Sequence, residues 1–556
     1  MAVRSSFGRS LVAFFVASMV ASIVALIAAL CALPAHAAEG PAATPASGPA
    51  AKACAALLTQ NFFDIPDAPT SIVSSAIVPA TDTLPAYCRV VGTIAPEVGF
   101  EIGLPTDHWN GRLMVQGCGG TCGIKALSGC EDMLARNFAV VHTDMGHTGR
   151  PIVGGLWAHG NLPAVIDFGY RATHVTVVAA KVIQRAFYGR AAEFAYFRGC
   201  STGGRQAMVE AQRFPDDFDG IVAIAPPLDE TGISAYHLAW SVRASTQRDG
   251  RRIIDAADVR RVHDAALLGC HASDGVSDNV LQNPPACRWR VAELQCKPGA
   301  TKAGDGLPCL APEKVEAFQK IYDGVRDSHG KRIFEGGMAL GSELGWMPYF
   351  VSDTAEPARM LDQTWLLGEF FRYLMFWESP GAGLSVYDFD YDRDPVRLGL
   401  MEPIYSATNA DLRRFKARGG KLMLVGGWAD PLIPAPTLID YYATATRLMG
   451  GAPQTRDFFR LFMVPGMEHC VGGTGLDAID YMGALQAWVE SGRAPDALVG
   501  SHLAKTQSLL RYARHPLAPG LAEWSRPVFA YPDTAVYAGQ GDWRDAGSWR
   551  RAPVTP

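Results

Sequence analysis

The sequence has few charged residues and no long run of one sign. Asp, Glu, Lys and Arg make up 19% of its 556 residues, and the formal net charge at pH 7 is −5. The chain lacks the Lys/Arg-rich runs that bind nucleic acid and the acidic runs of disordered tails. Hydrophobic residues make up 48%, as in packed globular proteins. We therefore expect a folded protein without a nucleic-acid partner.

Long apolar runs are absent except at the N-terminus, between residues 11 and 33. Two arginines precede this run and residues 35–37 (AHA) follow it, so residues 1–38 are expected to be an export signal cleaved after Ala37. The alternative is an uncleaved membrane anchor, because the run approaches the length that spans a bilayer. Cleavage would give a secreted or periplasmic protein without stable membrane association.

The sequence also lacks the ligand spacing of a structural zinc site, although it has 12 cysteines. No two closely spaced Cys/His couples stand at the spacing of such a site. In an oxidising compartment, the eleven cysteines that remain without Cys31 are disulfide candidates before they are metal ligands. Because this number is odd, at least one thiol must stay unpaired.

Short apolar runs, each followed by turn residues, predict buried strands. They are residues 112–116, 138–142, 194–197, 220–224, 421–425 and 459–463. Apolar residues at a spacing of three to four predict an amphipathic helix over residues 170–187. Strands that alternate with helices indicate an α/β fold, with a mostly parallel sheet covered by helices on both faces.

The alternation breaks in a long central stretch that is rich in turn residues, which predicts a lid inserted between two core strands. The chain is also longer than one ordinary domain. The predicted boundaries are 1–38 for the signal, 39–52 for a linker, 53–226 for the first part of the core, 227–418 for the lid, and 419–556 for the second part of the core with an irregular tail.

A candidate nucleophile stands in residues 199–203, GCSTG, which match the pattern G-x-S-x-G. A nucleophile on a tight strand-to-helix turn needs small neighbours, because larger side chains would clash. The pattern alone is weak in a glycine-rich chain, but here a predicted strand precedes it and residues 204–214 can form a helix. We predict that Ser201 is the nucleophile, with a plain strand-to-helix turn as the alternative.

A serine nucleophile needs a base, and the base needs an orienting acid. In hydrolases with this turn, the acid and then the histidine follow the serine along the chain. Asp430 and His469 each come just past a predicted strand, at the sheet edge where such folds place their sites. Either could be an ordinary loop residue, but their joint position predicts a triad with Ser201.

Two cysteines adjoin the proposed triad. Cys200 directly precedes Ser201, and Cys470 directly follows His469. If the serine and the histidine hydrogen-bond, the Cα atoms of these cysteines can approach the disulfide range of about 4.4–6.8 Å. Such a bridge would hold the two catalytic loops together.

Taken together, these residues resemble the CS-D-HC signature of the tannase/feruloyl esterase family, which includes mono(2-hydroxyethyl) terephthalate hydrolases. The resemblance runs from about Cys54 to the C-terminus. Four further stretches match the family, namely residues 116–123, 143–147, 199–206 and 428–431. The resemblance implies an α/β-hydrolase fold with a large inserted lid. It also implies a serine carboxylic ester hydrolase that forms an acyl-enzyme with esters of aromatic acids, such as gallate, feruloyl or related hydroxycinnamoyl esters.

Two alternatives stay open. A terephthalate half-ester hydrolase, or another aryl ester or amide hydrolase, would use the same triad. A non-catalytic binding protein on a hydrolase scaffold would lack a triad member, whereas all three are present in this sequence. The chemistry itself requires no cofactor, and the expected partner is a small aromatic ester.

An oxyanion hole is expected beside the nucleophile, because acyl transfer needs N–H donors aimed at the developing charge. One donor should be the backbone N–H of Thr202, the residue after the serine. The second should come from the glycine loop 117–123, where the resemblance selects Gly120, with Gly119 next. A glycine-rich turn without a ligand role is the alternative.

Residues 270–280 (CHASDGVSDNV) resemble the calcium loop in the lid of this family. The resemblance implies an ion held by Asp274, Asp278 and the carbonyls of Val276 and Val280. The first aspartate of the pattern is His271 here, and imidazole is a poor calcium ligand. A disulfide-closed turn without metal is the equal alternative.

The resemblance also implies a disulfide pattern. Cys122 with Cys130 is a further plausible bridge, which leaves Cys118 free. The tail disulfide of relatives has no counterpart, since Phe529 and the region near Trp549 stand at the matching positions. The implied pairs are Cys54–Cys88, Cys200–Cys470, Cys270–Cys287 and Cys296–Cys309.

Aromatic residues crowd residues 365–377 (WLLGEFFRYLMFW) of the predicted lid, where an aromatic acyl group could stack. The resemblance implies that Arg372 faces a substrate carboxylate or phenol, with Phe376 and Trp377 as further substrate contacts. The alternative is a core helix, because aromatics at helical spacing are usually buried.

Overall fold

A nine-stranded sheet of order β1-β2-β3-β5-β4-β6-β7-β8-β9 forms the centre of the computed structural model. Its strands are β1 Thr70–Val78, β2 Tyr87–Ile94, β3 Val98–Pro105, β4 Arg112–Gln116, β5 Ala139–Thr143, β6 Phe194–Cys200, β7 Gly220–Ile224, β8 Lys421–Gly427 and β9 Phe459–Val464. The structure describes residues 48–149, 154–270, 276, 278–299, 308–347, 349–352, 366–476, 478–503 and 520–554, without the side chains of residues 366 and 367. The predicted export signal lies outside these residues.

The sheet has a parallel half and an antiparallel half. Strands β5, β4, β6, β7, β8 and β9 run parallel, and every residue of β7 and β9 is buried. This burial explains their near-continuous apolar sequences, and all six predicted strands are confirmed. Strands β1, β2 and β3 add an antiparallel edge that the sequence did not reveal. The α/β-hydrolase fold is therefore confirmed, with a mostly parallel sheet.

Helices lie before, between and after the strands of the main sheet. The longer ones are α1 Pro49–Ala56, α2 Ala172–Tyr188, α3 Thr202–Arg213, α4 Ala256–Cys270, α5 Pro312–Asp323, α6 Leu366–Tyr373, α7 Ala435–Leu448 and α8 Tyr481–Ser491. Shorter helices are Glu131–Leu134, Leu162–Ile166, Glu230–Gly232, Ala239–Ser245, Pro395–Leu398, Glu402–Tyr405, Arg413–Ala417 and Ala452–Arg456.

The predicted helix over residues 170–187 is confirmed as α2, displaced by a residue or two. It begins later because Asp167–Arg171 form a π-helical segment. It ends at Tyr188 because Gly189 adopts the left-handed conformation, with φ of 73°, and its N–H caps the carbonyl of Arg185.

The long insertion leaves the sheet after β7 and returns at β8. These two strands are neighbours, with Gly220 opposite Lys421 and Ile224 opposite Val425. Within the described residues, the chain between them adds no strand to the sheet. An insertion at this place agrees with the predicted lid, whose limits at 227 and 418 stay a prediction.

The prediction that about the last thirty residues form an irregular tail is wrong, because they contain a strand pair, and further strands precede it. Strands β10 Ala478–Ile479, β11 Ala497–Leu503 and β12 Ala522–Phe529 form a second sheet, and β13 Asp533–Tyr537 pairs with β14 Trp549–Pro553. Strand β10 has only two residues, and β12 and β14 carry arginines, so the sequence shows no long apolar run there. Within the described residues, no helix has both the length and the hydropathy to cross a bilayer.

Candidate catalytic site

Ser201 stands where β6 ends and α3 begins. Its backbone has φ of 60° and ψ of −127°, a conformation that costs most non-glycine residues free energy. Two backbone hydrogen bonds hold it there, since its N–H donates to the carbonyl of Ile224 and its carbonyl accepts from Arg205, each at 3.0 Å. A strained turn between a strand and a helix is what the pattern G-x-S-x-G predicts at this place.

The glycines around this turn are required by close backbone packing. A Cβ atom on Gly199 would lie 2.3 Å from the carbonyl oxygen of Gly203, and one on Gly204 would lie 2.3 Å from that of Ile224. A side chain at either position would therefore push the strand away from the helix. Gly203, the second glycine of the motif, is also tightly packed, since a Cβ atom there would lie 3.0 Å from the carbonyl oxygen of Cys118. Both glycines of the motif are thus needed for close packing, which agrees with the physical reason given for it.

Asp430 and His469 form a hydrogen-bonded pair. Asp430 follows β8, and its carboxylate accepts from the backbone N–H groups of Leu432 at 2.8 Å and Ile433 at 3.0 Å. The Nδ1 atom of His469 lies 3.0 Å from one carboxylate oxygen and 3.1 Å from the other. A proton on Nδ1 then faces the carboxylate, which leaves Nε2 as the basic nitrogen.

The disulfide Cys200–Cys470 brings the serine loop and the histidine loop together, with 5.9 Å between its Cα atoms. The Nε2 atom of His469 is buried and has no hydrogen-bond partner among the described residues. The three triad candidates thus lie past the carboxyl ends of β6, β8 and β9, where the sequence predicted strand ends. Their catalytic roles belong to the proposal below.

The glycine loop after β4 is fastened to the start of α3. The hydroxyl of Thr202 donates to the carbonyl of Gly120 at 2.6 Å, and the side-chain carbonyl of Gln206 accepts from the N–H of Cys118 at 3.3 Å. The first N–H groups of a helix have no intrahelical acceptor, and that of Thr202 is one of them. Gly120 adopts φ of 57°, which favours glycine, whereas Gly119 is exposed.

The predicted pairing of Cys122 with Cys130 is wrong. Cys118 bonds Cys122, which takes φ of 61° and so closes a tight turn, and Cys130 is free and buried. Such local turn geometry cannot be predicted from cysteine spacing. The other implied disulfides are confirmed, namely Cys54–Cys88, Cys200–Cys470, Cys270–Cys287 and Cys296–Cys309.

The three predicted substrate residues lie on or just after α6. The buried side chain of Arg372 donates from Nε to the carbonyl of Leu384 at 3.0 Å. Phe376 is buried, whereas Trp377 is half exposed, and both line a cavity of about 340 Å³ together with His159. None of the described hydrogen bonds or ring contacts joins these three residues to the triad, so their substrate roles stay predictions.

Two lid residues near the acid were missed by the sequence reasoning. The Nε2 atom of His237 lies 2.9 Å from the carbonyl oxygen of Pro431, and burial lowers the pKa of His237 to about 4. Burial raises the pKa of Tyr349, and the nearby charges of Asp430 and Glu468 raise it further. No local pattern marks either residue, because only the folded lid brings them to the site.

Arg205 fastens the nucleophile helix to both ends of the insertion. Its fully buried guanidinium donates to the carbonyls of Gly169 at 2.7 Å and Tyr405 at 3.2 Å. Its Nε atom lies 3.1 Å from the carboxylate of Glu230. Glu230 lies near the start of the insertion and Tyr405 near its end, so one side chain holds both to α3.

One group of potential metal ligands occurs among the described residues, and it is not part of the triad. Ligand atoms of His174, Glu210 and Asp217 lie within 4.8 Å of one another. The Nδ1 atom of His174 is only 2.6 Å from Asp217, whereas two ligands on a tetrahedral zinc ion stand roughly 3.3 Å apart. This contact is a hydrogen bond, and the group is not a formed metal site.

Of the implied calcium ligands, Asp274 lies outside the described residues, as does His271. Val276, Asp278 and Val280 are described and lie after α4. The side chain of Asp278 is buried and pairs with the guanidinium of Arg526.

Comparison with known proteins gives a consistent picture. A family model described as "Tannase and feruloyl esterase" matches residues 81–552. The chain is 33% identical over 546 residues to an uncharacterized esterase of Xanthomonas campestris pv. campestris, with 89% of this chain and 90% of that protein covered. It is 32% identical over 565 residues to a mono(2-hydroxyethyl) terephthalate hydrolase of Piscinibacter sakaiensis, with 88% and 90% covered.

Solved structures show the same similarity. The crystal structure of feruloyl esterase B from Aspergillus oryzae superposes with a TM-score of 0.74 at 25% identity, covering 87% of this chain and 97% of that one. Tannin acyl hydrolase from Aspergillus niger has a TM-score of 0.66 at 22% identity, covering 87% and 90%, and supports the fold alone.

Proposed function

This chain belongs to the tannase and feruloyl esterase family, and we propose that it is a serine hydrolase that cleaves esters of aromatic acids through an acyl-enzyme. One observation carries the proposal. Ser201, Asp430 and His469 follow the carboxyl ends of β6, β8 and β9 in one parallel sheet, and the Nε2 atom of His469 has no hydrogen-bond partner among the described residues. Family membership supports an esterase, and the positions of the three residues support the proposed mechanism.

In the proposed first step, the Oγ atom of Ser201 attacks the ester carbonyl carbon while Nε2 of His469 takes its proton. Asp430 holds the imidazole and stabilises its positive charge. The N–H groups of Thr202 and Gly120 bind the oxyanion. The alcohol then leaves with the proton from His469, and the serine keeps the acyl group.

In the second step, water attacks the acyl-enzyme. His469 accepts a proton from this water and returns it to Oγ of Ser201 as the carboxylic acid leaves. The same oxyanion donors serve both steps, because both pass through a tetrahedral intermediate.

The proposed substrates are gallate, feruloyl or related hydroxycinnamoyl esters. The names of the relatives support an aromatic acyl group, since feruloyl and terephthalate groups each contain an aromatic ring. A terephthalate half-ester is the second candidate, because the terephthalate hydrolase is similar over 88% of this chain.

The test is to hydrolyse methyl gallate, methyl ferulate and mono(2-hydroxyethyl) terephthalate with purified protein. We expect hydrolysis of at least one ester and a loss of at least about 10³-fold in kcat for Ser201→Ala, because the serine supplies the attacking oxygen. A matched anilide panel distinguishes an amidase. Full esterase activity in Ser201→Ala would contradict the triad, and binding of the esters without hydrolysis would favour a binding protein.

Export and signal cleavage are part of the proposal. Five disulfides among the described residues support an oxidising compartment.

A further inference from the structure

A buried arginine on β12 reaches the lid loop that the family resemblance assigns to calcium. The Nη2 atom of Arg526 donates to Oδ2 of Asp278, and its Nη1 atom donates to the side-chain oxygen of Gln282 at 3.0 Å. The other carboxylate oxygen of Asp278 accepts from the N–H of Val280 at 3.1 Å. Both oxygens of this candidate calcium ligand therefore already accept hydrogen bonds from protein donors.

Aromatic rings fix the position of the guanidinium. Its central carbon lies 3.8 Å from the ring centroid of Trp549, 4.8 Å from that of Trp524 and 6.0 Å from that of Trp543. The side chains of Arg526 and Asp278 are 0% and 2% exposed. Because tryptophan faces stabilise a cation and exclude water, the positive charge stays beside the carboxylate.

The same loop is also held by apolar packing and by a covalent bond. Val276 is buried in a small cluster with Ala535 and Trp549 of the C-terminal hairpin. The disulfide Cys270–Cys287 closes the loop at its base. Val276 and Asp278, the described residues of this loop, are therefore attached to the C-terminal strands by protein contacts.

The chemistry of the donor set does not fit a calcium site. Calcium binds several hard oxygen ligands, and here the first position is His271, so only Asp274 and Asp278 can supply carboxylates. The guanidinium compensates the charge of Asp278 and would repel a dication at the same carboxylate.

We propose that Arg526 replaces calcium in this chain. The guanidinium neutralises Asp278 and ties the lid loop to β12, so the loop needs no metal ion.

The first test uses the wild-type chain. We expect purified protein to contain less than about 0.1 calcium per chain by elemental analysis. We also expect its melting temperatures in EDTA and in millimolar CaCl2 to agree within about 1 °C, because a ligand that does not bind cannot stabilise the folded state. One bound calcium per chain, or a melting temperature several degrees lower in EDTA, would overturn the proposal.

The second test removes the guanidinium. Arg526→Gln should lower the melting temperature by several degrees, because it leaves Asp278 buried without a cation. Arg544→Gln is the matched control, since Arg544 also stacks on Trp543, at 4.6 Å, but its side chain is 58% exposed. Equal melting temperatures for Arg526→Gln and wild type would contradict the proposal.

The third test restores a calcium site. The double variant Arg526→Gln with His271→Asp offers a third carboxylate and no guanidinium, so its melting temperature should rise by several degrees when CaCl2 replaces EDTA. No such rise would contradict the idea that Arg526 and His271 exclude the ion. The measurements on wild-type protein need no variant, and they decide the question even if Arg526→Gln fails to fold.

Discussion

At the scale of single residues, the strained backbone of Ser201 is stabilised by its neighbours. Gly199 and Gly204 allow β6, β7 and α3 to pack in backbone contact, and the hydrogen bond from Ser201 to Ile224 holds the turn. The sequence could predict this turn because its glycines are a direct consequence of the packing. His237 could not be predicted, because it meets the acid loop only through the folded lid.

Glu210 gives a prediction at the same scale. It is buried on α3, and its carboxylate lies within 4.8 Å of that of Asp217. Burial and the charge of Asp217 raise the pKa of Glu210 well above its usual value, so the folded state favours the protonated form. The protonated carboxyl group of Glu210 stabilises the folded state fully at pH values below its pKa in the unfolded chain, which is about 4.3. This stabilisation is lost as the pH rises through the pKa of Glu210 in the folded protein.

Glu210→Gln mimics the protonated group at every pH. We expect its free energy of unfolding, relative to wild type, to increase from pH 5 towards pH 9 with a slope of at most about 1.4 kcal/mol per pH unit. Urea unfolding at several pH values measures this difference. A difference that does not change with pH would contradict a buried, protonated Glu210.

At the scale of elements, the parallel strands were predictable and the antiparallel ones were not. Strands buried on both faces, such as β7 and β9, need apolar side chains at nearly every position. The edge strand β1 has many exposed positions, and β12 contains a charged residue that only tertiary packing buries. Arg526 is this buried charged residue of β12, and the sequence could not predict its burial because its partner Asp278 is distant in sequence.

Arg205 links three elements and gives a prediction at this scale. Arg205→Met should lower the free energy of unfolding by about 3–5 kcal/mol, because buried carbonyls lose their donor and Glu230 loses its cation. Arg205→Lys keeps the charge without the planar set of donors, so an intermediate loss is expected. The measurement is urea unfolding, with Arg185→Met as the control because Arg185 is exposed. A loss below about 0.5 kcal/mol for Arg205→Met would contradict the role of Arg205 in holding the insertion to α3.

At the scale of the whole molecule, the lid and the core meet at the candidate site. The lid supplies His237 and Tyr349 near Asp430, and Arg205 of the core binds both ends of the insertion. The sequence could predict where the three triad candidates lie, since each comes just past the end of a core strand. It could not predict the substrate pocket, because the pocket depends on how the lid folds over these strands.

The central claim is that Ser201 carries the acyl group. The most direct test is to mix the protein with methyl ferulate, quench the reaction with acid during turnover, and map the modified peptide by mass spectrometry. We expect the mass of one feruloyl group on Ser201 and no such adduct in Ser201→Ala. A feruloyl adduct on another residue, or full esterase activity in Ser201→Ala, would contradict the proposed mechanism.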